Sequence, residues 1–165
     1  MKHLVISFIC SDRPGLVNTL SNIVKHHQGN WQSSSMHNLS GFFAGILEIA
    51  VIEKNTDALI AEIKAINGIN AQVAIASSEG QEKNKTIVLE LTANDRVGIV
   101  QDISAVIHQQ NGNLVKLVSR QDNAAHSGQL MFKAKATVSV EETDIDNLVA
   151  ALENLADDLM VDIAR

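Results

Sequence analysis

The segment Asp12-Arg13-Pro14-Gly15-Leu16-Val17 returns as Asp95-Arg96-Val97-Gly98-Ile99-Val100, an offset of 83 residues (95 − 12). Gly29-Asn30 returns at the same offset as Gly112-Asn113, and Ser21 as Ser104. Leu20 and Ile23 are matched by Ile103 and Val106. Between positions 12 and 31 the two copies share seven identities at that one spacing, so the chain is two copies of one unit. Each copy is about 80 residues, long enough to bury its own core, which excludes a solenoid of short repeats. Ser77 to Lys85 is polar throughout and contains Gly80, as a linker does. The expected organisation is a first domain at 1–78, a linker at 79–85 and a second domain at 86–165.

Within each copy the hydrophobic period switches between two and about 3.6 residues. Leu4, Ile6 and Phe8 alternate on one face of a strand at Leu4–Ile9, as do Ile87, Leu89 and Leu91 at Thr86–Thr92. A helix follows in each, carried by Leu16, Leu20, Ile23 and Val24, or by Ile99, Ile103, Val106 and Ile107. Asp12 and Asp95 are placed to cap these helices, Pro14 to start one, and Gly29 and Gly112 to end them. Hairpins are expected at 31–37 with 42–52 and at 114–121 with 129–140. The spacing grows by about four residues across the second hairpin loop. Second helices run through Leu59–Ile66 and Ile145–Leu155, and closing strands through 71–76 and 159–164. The order βαββαβ, twice, implies an α+β fold: two ferredoxin-like domains, each an antiparallel sheet with both helices on one face. Val5, Ile9, Val73 and Ile75 are expected on the opposite sheet face. An apolar face of that kind calls for pairing between units or chains.

Composition narrows the function. The 13 Lys+Arg against 19 Asp+Glu give a net charge of −6, which disfavours direct nucleic-acid binding. Aromatics make up 3% of the chain, too few for base-stacking platforms. Cys10 is the sole cysteine, so no intramolecular disulfide or cysteine-rich metal site can form. No apolar run approaches the roughly 20 residues of a membrane span. A cytoplasmic protein is expected. The two copies account for nearly every residue, and no separate DNA-binding or catalytic domain is expected.

The pattern of a strand, then Asp-Arg-Pro-Gly-Leu-Val, a helix, Gly-Asn and a second strand resembles the ACT domain family of small regulatory modules. Both copies carry it. Together with the hairpins and second helices, the resemblance covers nearly the whole chain. It implies ligand sensing: modules of this family often bind amino acids near the loop after the first strand and pass the signal to a partner or an attached enzyme. The two-copy layout further resembles repressors built from such modules, which act through a partner transcription activator and not by touching DNA. Glycine metabolism is the leading context, with a small amino acid such as glycine as effector. No cofactor is expected, and a homodimer is.

The chemistry of the loops fits such a ligand. Free N–H groups at a helix N-terminus favour a carboxylate. Gly15 and Gly98 permit close approach to the backbone. Asp12 and Asp95 suit an α-amino group, and Arg13 and Arg96 a carboxylate in bidentate fashion. Asn30 and Asn113 offer amide hydrogen bonds. The same residues also suit plain caps and turns, which leaves a dimerisation or scaffold module without a small ligand as the alternative.

Elsewhere the residues read as structural. His26, His27 and His37 are not expected to hold a metal, because adjacent histidines point to different helix faces. Cys10 reads as a buried small residue and Trp31 as a half-buried strand residue. Ser33-Ser34-Ser35 lacks the glycine elbow of a nucleophile. No catalytic constellation is present, so an enzyme is not expected.

Overall fold

The alternation of β1 (Lys2–Ser11) places Leu4, Ile6, Phe8 and Cys10 on a fully buried face, and the rest of unit 1 is assembled against it. The computed structural model describes residues 1–76 and 85–164. The expected linker therefore lies, apart from Lys85, outside the described residues. The chain divides into two units, Met1–Gly80 and Gln81–Arg165.

In unit 1, β1 is followed by α1 (Leu16–His26), β2 (Asn30–Leu39), β3 (Phe42–Val51), α2 (Thr56–Lys64) and β4 (Asn70–Ile75). In unit 2 the series is β5 (Thr86–Asn94), α3 (Ile99–Gln109), β6 (Asn113–Asn123), β7 (Leu130–Ser139), α4 (Ile145–Glu153) and β8 (Met160–Ile163). The sheets have strand orders β2-β3-β1-β4 and β6-β7-β5-β8, with every pairing antiparallel. This is the expected βαββαβ fold, twice. Each second helix is preceded by a short 3-10 turn, Glu53–Asn55 and Glu142–Asp144.

Register fixes which residues share a face. Leu4, Ile6 and Phe8 lie opposite Ile49, Leu47 and Gly45, and the buried side chains of α1 and α2 (Leu16, Leu20, Leu59, Ile63) join the same cluster. Leu89 and Leu91 repeat this opposite Ala136 and Ala134, with Ile103, Ile107, Leu148 and Leu152. Burying one Leu or Ile side chain contributes about 2 kcal/mol, so these clusters dominate the stability of each unit.

The register also corrects one expectation. Val73 and Ile75 lie opposite Ile6 and Leu4, on the helix-covered face and not on the open one. Val73 packs on the unit 1 core, while Ile75 sits at the sheet margin, exposed. The open face instead carries Val5 and Ile9 from β1 with Ile46, Ala44 and Phe42 from β3.

The helix ends differ from expectation as well. Gly29 and Gly112 do not adopt positive φ; Gln28 (φ 57°) and Asn111 (φ 58°) do. The Gly29 N–H donates to the Val24 carbonyl at 2.8 Å and the Gln28 N–H to that of Lys25 at 3.0 Å. Unit 2 repeats this with Gly112 to Ile107 (2.9 Å) and Asn111 to His108 (3.1 Å). This is the Schellman arrangement, with the glycine one place beyond the left-handed residue. Glycine is needed there for space: a Cβ on Gly29 would lie 3.1 Å from both Ile49 Cγ2 and Val24 Cγ1.

The hairpin turns differ in length. Ser40 (φ 51°) and Gly41 (φ 83°) close the first as a two-residue, left-handed turn. The second spans Ala124–Gln129, four residues longer (six against two), as the growing offset implies.

Candidate ligand-binding loops

Both Asp-Arg-x-Gly loops lie where the first strand of a unit hands the chain to its first helix, beside the hairpin tip. The Asp12 N–H donates to the Gly41 carbonyl at 2.9 Å, and the Asp95 N–H to that of Leu130 at 2.9 Å. The strand end is thereby tied to the start of β3 or β7. Gly15 (φ 86°) and Gly98 (φ 87°) stand at the helix boundary in the left-handed region. A Cβ at either would meet nothing within 4 Å. Glycine is thus demanded by backbone conformation, and the space above the loop is open.

Neither aspartate caps its helix, contrary to expectation: among the described residues, no side chain accepts a hydrogen bond from a first-turn N–H of α1 or α3. The left-handed glycine turns the chain between the aspartate and the first helical residue. Asp12 Oδ2 instead accepts a hydrogen bond from Asn38 Nδ2, and Asp95 Oδ2 one from Gln121 Nε2. The Thr19 N–H donates to the Gly15 carbonyl (2.9 Å) and the Asp102 N–H to that of Gly98 (3.0 Å), while in unit 2 the Ile99 N–H also donates back to the Arg96 carbonyl (3.3 Å). The other amides of the first turn thus point toward the loop without a capping side chain among the described residues. That arrangement favours negative charge.

The arginines diverge. Arg13 donates to the Asn67 carbonyl at 2.7 Å, reaching the turn after α2. Arg96 pairs with Asp102 on α3 at 2.6 Å, with both side chains partly exposed. Asp102 occupies the position of Thr19 in the first copy, so a carboxylate stands at the second loop where the first has a hydroxyl. The unit 2 loop also holds Asp158, whose Oδ2 accepts from the Asn94 N–H at 2.8 Å. Val97, where the first copy has Pro14, is fully exposed.

Asn30 and Asn113 are not part of these constellations within their own units. Asn30 opens β2 opposite Ala50, which lies opposite His3. Asn113 opens β6 opposite Ser139, which lies opposite Thr86. Both asparagines therefore stand at the end of the sheet away from the loops. Sequence reasoning missed Asn38 and Gln121, the side chains that hold the aspartates. They lie beside the hairpin turns, and only the strand pairing brings them to the loops.

No protein-family model matches the chain, and no curated protein matches it. Solved structures do. The fold is that of tandem ACT-like, ferredoxin-like domains. A protein of unknown role from Galdieria sulphuraria superposes with a TM-score of 0.85 at 24% identity, over 99% of both chains. A structure provisionally designated a glycine cleavage system transcriptional repressor superposes with a TM-score of 0.72 at 15% identity, over 99% of this chain and 98% of that one.

Proposed function

We propose that this chain is a non-enzymatic regulatory protein that senses a small amino acid at its Asp-Arg-x-Gly loops and acts through a protein partner. One observation carries the reading: both copies present an uncapped helix N-terminus behind a left-handed glycine with open space above it. First-turn amides receive the ligand carboxylate, assisted by Arg13 or Arg96, while Asp12 or Asp95 takes the amino group. Unit 1 is the better receiver. Arg13 bonds a neutral carbonyl there, whereas Arg96 is already engaged by a carboxylate. Asn30 and Asn113 lie outside the proposed site of their own unit. The effector is of glycine size, and the partner is a transcription activator, so that the chain represses the glycine cleavage system. The fold shared with the provisionally designated repressor supports this context. The −6 charge agrees with action through a protein and not on DNA. A cytoplasmic location belongs to the same reading; among the described residues, no helix is long and apolar enough to cross a membrane. To signal, the ligand must bind one conformational state better than another.

The reading is tested by an affinity pull-down with the full chain, with and without glycine. Recovery of a transcription regulator in a glycine-dependent amount is expected. Absence of any such regulator, together with no amino acid shifting the melting temperature, contradicts it.

The second reading, a dimerisation scaffold without a small ligand, is favoured by the apolar open face of unit 1, where Ile9, Ile46 and Phe42 are about half exposed. It predicts a tight homodimer in sedimentation that Ile46→Lys dissociates, and no calorimetric heat with any amino acid.

A further inference from the structure

His26 ends α1, and His27 follows it as the C-cap with φ −87° and ψ 13°. The two imidazole rings lie with their centroids 5.0 Å apart. Both rings turn toward Glu62 on α2: His27 Nε2 lies 2.5 Å from Glu62 Oε2, and His26 Nδ1 lies 3.6 Å from the same oxygen. One donor atom from each of the three residues falls within 4.8 Å of the other two. This overturns the expectation that the two histidines diverge.

We propose that His26 Nδ1, His27 Nε2 and a Glu62 carboxylate oxygen form a binding site for a divalent transition-metal ion of the zinc class. Two imidazoles and one carboxylate are a common ligand set for zinc, with a solvent molecule completing four-coordination. Ligand bonds of about 2.0–2.2 Å place tetrahedral donors about 3.4 Å apart. The 3.6 Å separation already matches. The 2.5 Å hydrogen bond opens by under an ångström when a cation replaces the shared proton.

The site is held in place before any ion arrives. The His27 carbonyl accepts from Asn55 Nδ2 at 2.8 Å, which pins the helix end to the turn before α2. His27 is largely buried, with 14% of its side chain exposed, while 75% of His26 and 42% of Glu62 remain open. The ion thus enters from solvent onto one fixed ligand and two adjustable ones. Borderline nitrogen and oxygen donors select zinc, nickel or copper over magnesium or calcium.

Unit 2 is an internal control. His26 and His27 correspond to Gln109 and Gln110, and Glu62, the seventh residue of α2, to Ala151, the seventh of α4. None of these offers a metal-binding nitrogen or carboxylate, so the site belongs to the first copy alone. Bound metal would cross-link the end of α1 to α2.

The test is calorimetric titration of zinc chloride into the full chain, with His26→Gln/His27→Gln and Glu62→Ala alongside. These substitutions copy unit 2, where the same corner folds without histidine. Melting without metal checks that the variants remain folded. The native chain is expected to take up one zinc per chain and to melt higher in its presence. Both variants should bind at least tenfold more weakly and lose the shift. Cobalt(II) should give the intensified visible absorption of a four-coordinate site only in the native chain. Failure of the native chain to bind zinc, or equal binding by the variants through His37, His108 or His126, would overturn the proposal.

Discussion

On the sheet face away from its helices, unit 1 carries Ile9, Ala44, Ile46 and Leu39; unit 2 carries Thr92, Lys133, Lys135 and Asp122 at the same positions. There, Lys135 pairs with Glu90 at 3.0 Å and Lys133 with Asp122 at 3.2 Å. On the helix-covered face the copies keep apolar residues in matching places: Leu4 and Ile87, Ile6 and Leu89, Phe8 and Leu91. Topology constrains the core, because any polar residue there must be desolvated. It leaves the open face free to diverge. The loops lie between these extremes, keeping Asp, Arg and Gly but changing what the arginine touches.

The packing around β3 and β7 offers the sharpest way to break the equivalence of the two cores. Gly45 sits opposite Met36, and a Cβ there would lie 2.6 Å from Met36 Cγ and 2.8 Å from the Ser35 carbonyl oxygen. Unit 2 has Ala134 opposite the smaller Ser119. Gly45→Ala should cost about 2–3 kcal/mol by overpacking, measured by denaturant unfolding. Adding Met36→Ser should recover part of that and not all, since the Ser35 carbonyl remains. A neutral Gly45→Ala would show that the two sheets tolerate the same residues after all.

The loop glycines should behave alike. Gly15→Ala and Gly98→Ala each place a side chain at positive φ without a contact, at a cost of about 1–2 kcal/mol apiece in melting or denaturant experiments. Unequal losses would mean that the two loops are not conformational equivalents.

The arginines should separate by salt. Arg96→Ala removes an exposed ion pair and should cost at most about 1 kcal/mol, with the difference shrinking at high ionic strength. Arg13→Ala removes a bond to a carbonyl and should cost a similar amount with little dependence on salt. Equal salt dependence in melting would erase this distinction.

The smallest effect concerns pairs that both units keep. Lys2 bonds Glu53 at 2.8 Å and Lys85 bonds Glu142 at 2.7 Å. Each lysine's hydrogen bond, then its charge, holds the partner carboxyl below its ordinary range. A depressed carboxyl contributes stability above its unfolded pKa and loses it as pH falls through the folded value. Glu53→Gln and Glu142→Gln should therefore lower the melting temperature slightly near neutrality and not at strongly acid pH. A difference that persists unchanged into acid would contradict the ion-pair account.

Much of this fold was legible because strands and helices leave different periods, and the repeat supplied each period twice. The face of β4 was not: Ala71, Val73 and Ile75 alternate with Asn70, Gln72 and Ala74, which gathers the apolar residues on one face without saying which face the helices cover. Only its register against β1 decides that. The loops were found by their repetition, but their wiring was not. Asp12 looked like a cap until the left-handed Gly15 separated it from the helix, and Asn38 comes to it through strand pairing across 26 residues of chain. The meeting of His26, His27 and Glu62 was hidden for a similar reason: it depends on where α1 stops, and helix ends shift with cap geometry.

The central claim, that the repeated loops are amino-acid receivers, is tested most directly by titrating glycine and its small neighbours into the full chain by calorimetry. The native protein and Arg13→Ala/Arg96→Ala are measured side by side. Saturable binding that the double variant weakens at least tenfold, while its melting temperature without ligand changes little, is the result predicted. No heat with any amino acid, or binding that the double variant leaves intact, would contradict it.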